Sequence, residues 1–78
     1  MQSSFTHTTK EIVGRKVKFF RKKNKLTQQG LGDLIDADRQ YVWKVEHARI
    51  SMSLDKLDRI IIALKCTQED FLNITPNP

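Results

Sequence analysis

The chain of 78 residues has very little of what several common protein classes require. Its single cysteine, Cys66, excludes an internal disulfide and is expected to be a small core residue. With only two histidines, the chain offers no metal-ligand spacing. It also lacks a glycine-rich phosphate loop and a nucleophile with a histidine partner, so we predict neither an enzyme nor a bound cofactor.

Long apolar runs are missing as well. The most apolar stretch, "RIIIAL", is far too short to span a bilayer, and residues 1–9 are polar apart from one phenylalanine, unlike a secretory signal. We therefore expect a soluble protein of the cytoplasm. At 38% hydrophobic residues the chain can form one small core, so its function must lie on the outside of a single unit.

Positive charge is concentrated near the N-terminus. Residues 10–25 contain eight basic residues and one acidic residue, a net charge of +7, which leaves −2 of the total +5 for the other residues. A cationic segment on a nearly neutral body suits a polyanion or an acidic protein as partner. The alternative is a solvated helix face that keeps the protein soluble.

Helix signals recur along the whole chain, whereas no stretch shows the sustained alternation and turn of a β-hairpin. The first helix is predicted to begin at Thr8 or Thr9, with Glu11 completing a capping box, and to run to about Lys23. Candidate N-cap residues precede all five predicted helices: Thr8, Thr27, Asp38, Ser53 and Thr67. The pattern predicts an all-α protein of five short helices.

Apolar spacing predicts which side chains of the second and fourth helices face the core. In the second helix these are Leu31, Leu34 and Ile35; in the fourth they are Leu54, Leu57, Ile60 or Ile61, and Leu64. Gly32 could allow the third helix to cross closely. Asp36, in the turn "DAD", is well placed for a left-handed conformation.

The third predicted helix projects an unusual polar face. Within an arc of about 140° lie Arg39, Gln40, Trp43, Lys44 and His47, while two valines lie on the other side. Arginine and lysine can pair with guanine, and glutamine with adenine, in the major groove of DNA. Trp43 either contacts thymine methyls or sugar, supports Arg39, or folds back over the core edge. His47 is expected to face solvent or to cap the helix.

These residues carry a family resemblance. The stretch "LTQQGLGDLIDADRQYVWKVEHARISMSLDKL", residues 26–57, resembles the Cro/C1-type helix-turn-helix domain, also called the lambda-repressor-like or XRE family, and the likeness extends over about residues 12–72. The resemblance implies a compact five-helix domain that binds double-stranded DNA, commonly as a homodimer on an inverted repeat. We place this domain at residues 10–73, with a flexible arm at 1–9 and a tail at 74–78.

The resemblance also implies roles for particular residues. The base-reading positions are occupied by Arg39, Gln40, Trp43 and Lys44, and the phosphate-contacting positions by Gln28, Arg49, Ser51 and Ser53. Arg21 and Glu46 match a partly buried salt bridge. The chain departs from the family where Asp36 and Ala48 replace frequent glycines and where Trp43 takes a position that is more often small or polar.

The function predicted from the resemblance is a sequence-specific transcriptional regulator, a repressor of a bacterium or phage that associates with the nucleoid. The alternatives are an antitoxin that binds a toxin and represses its own operon, and a restriction-modification controller. Binding of RNA or single strands is less well supported, because stacking platforms need several exposed aromatic rings and only Trp43 and Tyr41 qualify.

The chain has more apolar residues than a core of this size is expected to bury. The additional ones are Ile12 and Phe19 on the first helix and Ile62, Leu72 and Ile74 near the C-terminus. They are either peripheral core or exposed contact residues. If they are exposed, the C-terminal set is the expected homodimer surface.

Overall fold

Five helices and no strand make up the part of the chain that the computed structural model describes, residues 7–72. The helices are α1 (Thr9–Lys23), α2 (Gln28–Leu34), α3 (Arg39–Glu46), α4 (Leu54–Ala63) and α5 (Gln68–Leu72). The all-α prediction is therefore confirmed. Of the predicted N-terminal arm, residues 8 and 9 form the start of α1 and residues 1–6 lie outside the described residues, as does the predicted tail.

Each helix begins at the N-cap residue that the sequence indicates. The Thr8 hydroxyl accepts the Glu11 N–H at 3.2 Å, and the Glu11 carboxylate accepts the Thr8 N–H at 2.8 Å, which completes the capping box. This bond from the Thr8 N–H lowers the pKa of the Glu11 carboxyl. The hydroxyl or carboxylate oxygens of the other four caps likewise accept a backbone N–H three residues on.

The first four helices end in the same way, with a left-handed residue and no glycine. These residues are Lys25, Asp36, Ala48 and Lys65, with φ between 57° and 61°. The N–H of the following residue then donates to a carbonyl five residues back, as Ala37 does to Gly32 at 2.8 Å, which is the Schellman pattern. The left-handed conformation expected of Asp36 is confirmed.

The core lies where α3 packs against α1 and α2, with α4 and α5 closing it. Its buried hydrophobic residues are Val17, Leu31, Ile35, Val42, Val45, Ile60, Ile61, Leu64 and Phe71. Cys66 is half-buried at the core edge, where burial raises the pKa of its thiol. Within residues 7–72, no helix is both long enough and apolar enough to cross a bilayer.

Two leucines predicted to face the core do not. Leu34 is 58% exposed and Leu54 is 81% exposed. The seven-residue α2 contacts the core through Leu31, Gly32 and the following Ile35, so Leu34 lies beside its buried face and not in it. Leu54 is the first residue of α4, and the core begins further along that helix. There both candidate isoleucines, 60 and 61, are buried.

Two glycines allow backbones to approach closely. A Cβ atom at Gly32 would lie 2.7 Å from the Ala37 carbonyl oxygen, so the expected close crossing after α2 is confirmed. A Cβ at Gly14, in the middle of α1, would lie 2.6 Å from the Val45 carbonyl oxygen and 2.7 Å from that of Glu46. The packing of α1 on the end of α3 therefore requires the absence of a side chain at residue 14.

We predict that Gly14→Ala lowers the free energy of unfolding by about 1 to 3 kcal/mol, because α1 or α3 must shift to admit the methyl group. Urea denaturation followed by circular dichroism measures it. Gly30→Ala is the matched control, since its Cβ would meet the Thr27 hydroxyl at 3.2 Å and no backbone of another helix. Equal stability of the two variants would contradict the close α1–α3 contact.

Candidate nucleic-acid interface

The exposed face of α3 brings together the four side chains predicted to read bases. Val42 and Val45, 1% and 3% exposed, hold the opposite face of the helix in the core. The outward-facing residues are Arg39, Gln40 and Trp43, which are exposed, and Lys44, which is half-buried. Because the helix is anchored along a narrow stripe, its arginine, glutamine and lysine present several hydrogen-bond donors in one direction.

Two neighbouring side chains, His47 and Arg49, pack against the Trp43 ring. This ring, in a residue 41% exposed, stacks on His47 with centroids 4.0 Å apart and planes 17° apart. The His47 Nδ1 lies 2.9 Å from the Trp43 carbonyl oxygen, and the Arg49 guanidinium lies 5.9 Å from the indole centroid. Trp43 thus does not fold back over the core. His47 is exposed and is the C-cap residue of α3, as expected, and its ring also packs against Trp43.

That stack was not foreseen from the sequence. The signal that could have indicated it is the four-residue spacing of the two rings, which places side chains side by side on a helix. Arg49 adds a cation from the loop after α3, so the phosphate-contact candidate in that loop lies against the base-reading candidate on the helix.

Beneath this face lies a buried charged network. Arg21 of α1 is 7% exposed and Glu46 of α3 is 8% exposed. The Arg21 Nε donates to Glu46 Oε2 at 2.5 Å and its Nη2 donates to Oε1 at 3.1 Å. The remaining Nη1 donates to the Leu26 carbonyl oxygen at 2.8 Å. The salt bridge that the resemblance implies is present, and both of its members are buried.

Gln28, expected to contact phosphate, also belongs to this network. Its Nε2 donates to Glu46 Oε1 at 3.1 Å, which ties α2 to the end of α3. Of the other phosphate-contact candidates, Ser51 and Ser53 are exposed in the segment before α4. The Ser53 hydroxyl accepts the Lys56 N–H at 3.1 Å as the cap of α4, and its own proton can still be donated.

One further contact supports α3 from the side of α4. Tyr41 is half-buried, and burial raises the pKa of its phenol. The Lys56 ammonium lies 5.5 Å from the Tyr41 ring centroid, a cation–π contact between the two helices. Among residues 7–72, no group of three or more histidine, cysteine, aspartate or glutamate side chains could hold a metal ion.

Solved structures share this arrangement of helices. The regulator ClgR of the clp genes from Corynebacterium glutamicum superimposes with a TM-score of 0.82 at 21% sequence identity, covering 90% of each chain. The chain has the fold of a Cro/C1-type helix-turn-helix domain. In it, α2 and α3 are the two helices of the helix-turn-helix.

Restriction-modification controller proteins show the same helix-turn-helix fold. C.AhdI from Aeromonas hydrophila has a TM-score of 0.75 at 25% identity and covers 81% of this chain and 91% of its own. C.Esp1396I, solved as a tetramer with its 35 base-pair operator, has a TM-score of 0.75 at 21% identity. The match covers 83% of this chain and 87% of the C.Esp1396I chain. No protein-family model and no curated protein matches the chain by sequence.

We predict that removing either member of the buried ion pair alone destabilises the helix-turn-helix strongly. Glu46→Ala or Arg21→Ala should cost about 3 to 5 kcal/mol, since each leaves a buried charge unpaired. The double variant Arg21→Met with Glu46→Leu, which removes both charges and keeps side-chain volume, should lose much less. Thermal unfolding by circular dichroism compares them. An unchanged melting temperature for Glu46→Ala would rule out the network as a stabilising element.

Proposed function

We propose that the chain is a sequence-specific regulator of transcription that binds double-stranded DNA with α3 in the major groove. The observation that carries this proposal is the exposed face of α3, on which Arg39, Gln40, Trp43 and Lys44 project from a helix anchored by two buried valines. Arginine and lysine donate to guanine edges and glutamine pairs with adenine, so this face can discriminate between base pairs.

Affinity would come from contacts that do not depend on sequence. Arg49, Ser51 and Ser53 lie exposed after α3, where donors can reach phosphate oxygens, and the chain carries a net charge of +5. Gln28 donates to Glu46 in the DNA-free structure, so it would contact a phosphate through a change of partner or through its second amide hydrogen.

The structural neighbours support this proposal. C.Esp1396I is bound to its operator in one of these structures, and ClgR is a regulator of the clp genes. By analogy, the chain would act as a repressor in the cytoplasm of a bacterium or phage-infected cell. A restriction-modification controller is the second candidate, supported by the similarity to C.AhdI. A toxin partner stays an untested alternative.

Homodimer formation is part of the proposal. Ile62 on α4 is 75% exposed and Leu72 on α5 is 58% exposed, which leaves apolar surface near the C-terminal end of the domain. The third predicted contact residue, Ile74, lies outside the described residues. A two-fold dimer through this surface would present two copies of α3 to an inverted-repeat operator.

The proposal is tested by selecting bound sequences from a random pool of duplex DNA at about 0.15 M salt. We expect enrichment of two inverted half-sites whose centres lie about one helical turn apart. Binding that persists at low salt without any enriched sequence would overturn the proposal, because only non-specific charge attraction would remain.

Arg39→Ala should relax the preference at particular base pairs by roughly 1 to 3 kcal/mol, because it removes a donor to base edges. Arg49→Ala should instead weaken all sequences alike and reduce the slope of affinity against salt by about 1. Competition assays with single-base operator variants distinguish the two. The exposed Arg59→Ala on α4 is the charge-matched control. Uniform loss across all sequences from Arg39→Ala would refute its role as a base reader.

Ile62→Glu should shift the protein from dimer to monomer, because it places a charge in the proposed apolar contact. Sedimentation equilibrium over a range of protein concentrations measures the change. Leu34→Glu, which makes the same kind of change at an apolar residue of α2 that is 58% exposed, is the control and should leave the association constant unchanged. The proposed dimer surface is wrong if both variants dimerise as the parent chain does.

A further inference from the structure

One surface of α1 has no role in the proposed DNA contact. An open pocket on this helix is lined by Arg15, Lys18, Phe19, Lys22 and Lys23, which we call the α1 patch. Phe19 forms its apolar floor and is 57% exposed. The pocket therefore combines one large aromatic ring with four cationic side chains and no acidic side chain.

The Phe19 ring of the α1 patch packs against another aromatic ring on its inner side. The Phe19 ring meets Phe20 edge to face with centroids 5.1 Å apart. Phe20 in turn stacks on the fully buried Phe71 at 6.0 Å, and the Lys23 ammonium lies 5.8 Å from the Phe20 centroid. Phe19 is therefore the outermost of three rings that connect the pocket to the core, so its orientation is set before any partner binds.

The aromatic centre of the α1 patch lies off the side of α1 that packs on α3. Val17 is completely buried, and Phe19, two residues on, lies about 200° further round the helix. The side of α1 that contacts α3 is the one with Gly14, whose Cα faces the end of that helix, and with Arg21. A ligand centred on Phe19 would thus lie about 140° round α1 from Gly14, with Lys18, about 40° from Gly14, at the edge of the patch that is nearest to α3.

None of the four cations of the patch forms a salt bridge among residues 7–72, and Arg15 acts on the Glu11 carboxyl only through longer-range attraction. The ion pairs in that range are His7 with Glu11 and Arg21 with Glu46. Lys18 and Lys22 are four residues apart, a spacing at which like charges destabilise a helix by a few tenths of a kcal/mol. Their aliphatic stems can extend the apolar floor while the ammonium groups stay in water.

From this combination we infer that the α1 patch binds an acidic peptide segment of another protein, with carboxylates paired to the four cations and one apolar side chain packed on Phe19. Duplex DNA satisfies only the cations, because its backbone has no apolar group to fill the floor. A two-fold contact between copies would place four cations against four cations, which is repulsive. This inference does not depend on the proposed DNA binding.

The test uses the full chain and a short blocked peptide of glutamate and aspartate residues around a central Leu-Phe pair, labelled for fluorescence anisotropy at about 0.15 M salt. We expect saturable binding. Phe19→Ser should weaken it by about tenfold or more, in proportion to the apolar area lost. Lys22→Glu should weaken it similarly, whereas the control Arg59→Glu, with the same change of charge on exposed α4, should stay within about twofold.

A second measurement needs no variant. Adding the peptide to the isotope-labelled parent chain should shift backbone amide resonances of residues 15–23 and leave those of α3 in place. Circular dichroism of each variant excludes unfolding as the cause of lost binding.

Three results would overturn the inference. One is equal binding of a peptide whose Leu-Phe pair is replaced by two serines, which would reduce the contact to charge attraction. Another is that Lys22→Glu weakens the binding of mixed-sequence duplex DNA as much as that of the peptide, while Phe19→Ser changes the affinity for neither ligand. That result would assign the α1 patch to DNA. The third is a change of oligomeric state on Phe19→Ser, which would assign the α1 patch to a second copy of this chain.

Discussion

The buried ion pair between Arg21 and Glu46 is the constraint on which the arrangement of the first three helices depends. Each charge is less than 10% exposed, so neither can be satisfied by water and each needs the other in place. Arg21 lies on α1 and Glu46 ends α3, while Gln28 brings in α2. Gly14 makes the approach of the two backbones sterically possible. The pair therefore determines which face of α3 remains outside.

The same helix that supports α3 also supplies an independent surface. The residues of α1 that contact α3 include a glycine, Gly14, and a paired charge, Arg21, whereas Phe19 lies exposed on another side of the helix. On the helix, Phe19 lies about 140° from Gly14 and about 160° from Arg21. A regulator with this geometry could contact DNA and an acidic partner at once, because neither surface shares side chains with the other.

The sequence was enough to predict which residues form the candidate site, but not which contacts their side chains make. The periodicity of residues 39–47 is enough to place Arg39, Gln40, Trp43 and Lys44 on one face, as the structure has them. It could not show that His47 stacks on Trp43, because the rotamer of each side chain depends on the residues that pack around it. Nor could it show that the Gln28 amide donates to Glu46, a bond across 18 positions of the chain.

Local interactions fix the helix boundaries, which could therefore be predicted from the sequence alone. Each cap, such as Thr8 with Glu11, bonds within three residues, so no distant part of the chain is needed to locate it. Which face each helix buries was decided only by tertiary structure. Leu34 and Leu54 have apolar side chains in register with their neighbours yet lie exposed, because burial requires an opposing helix and no helix among residues 7–72 covers them. Gly14 likewise gains its importance only from the backbone of α3 packed against it.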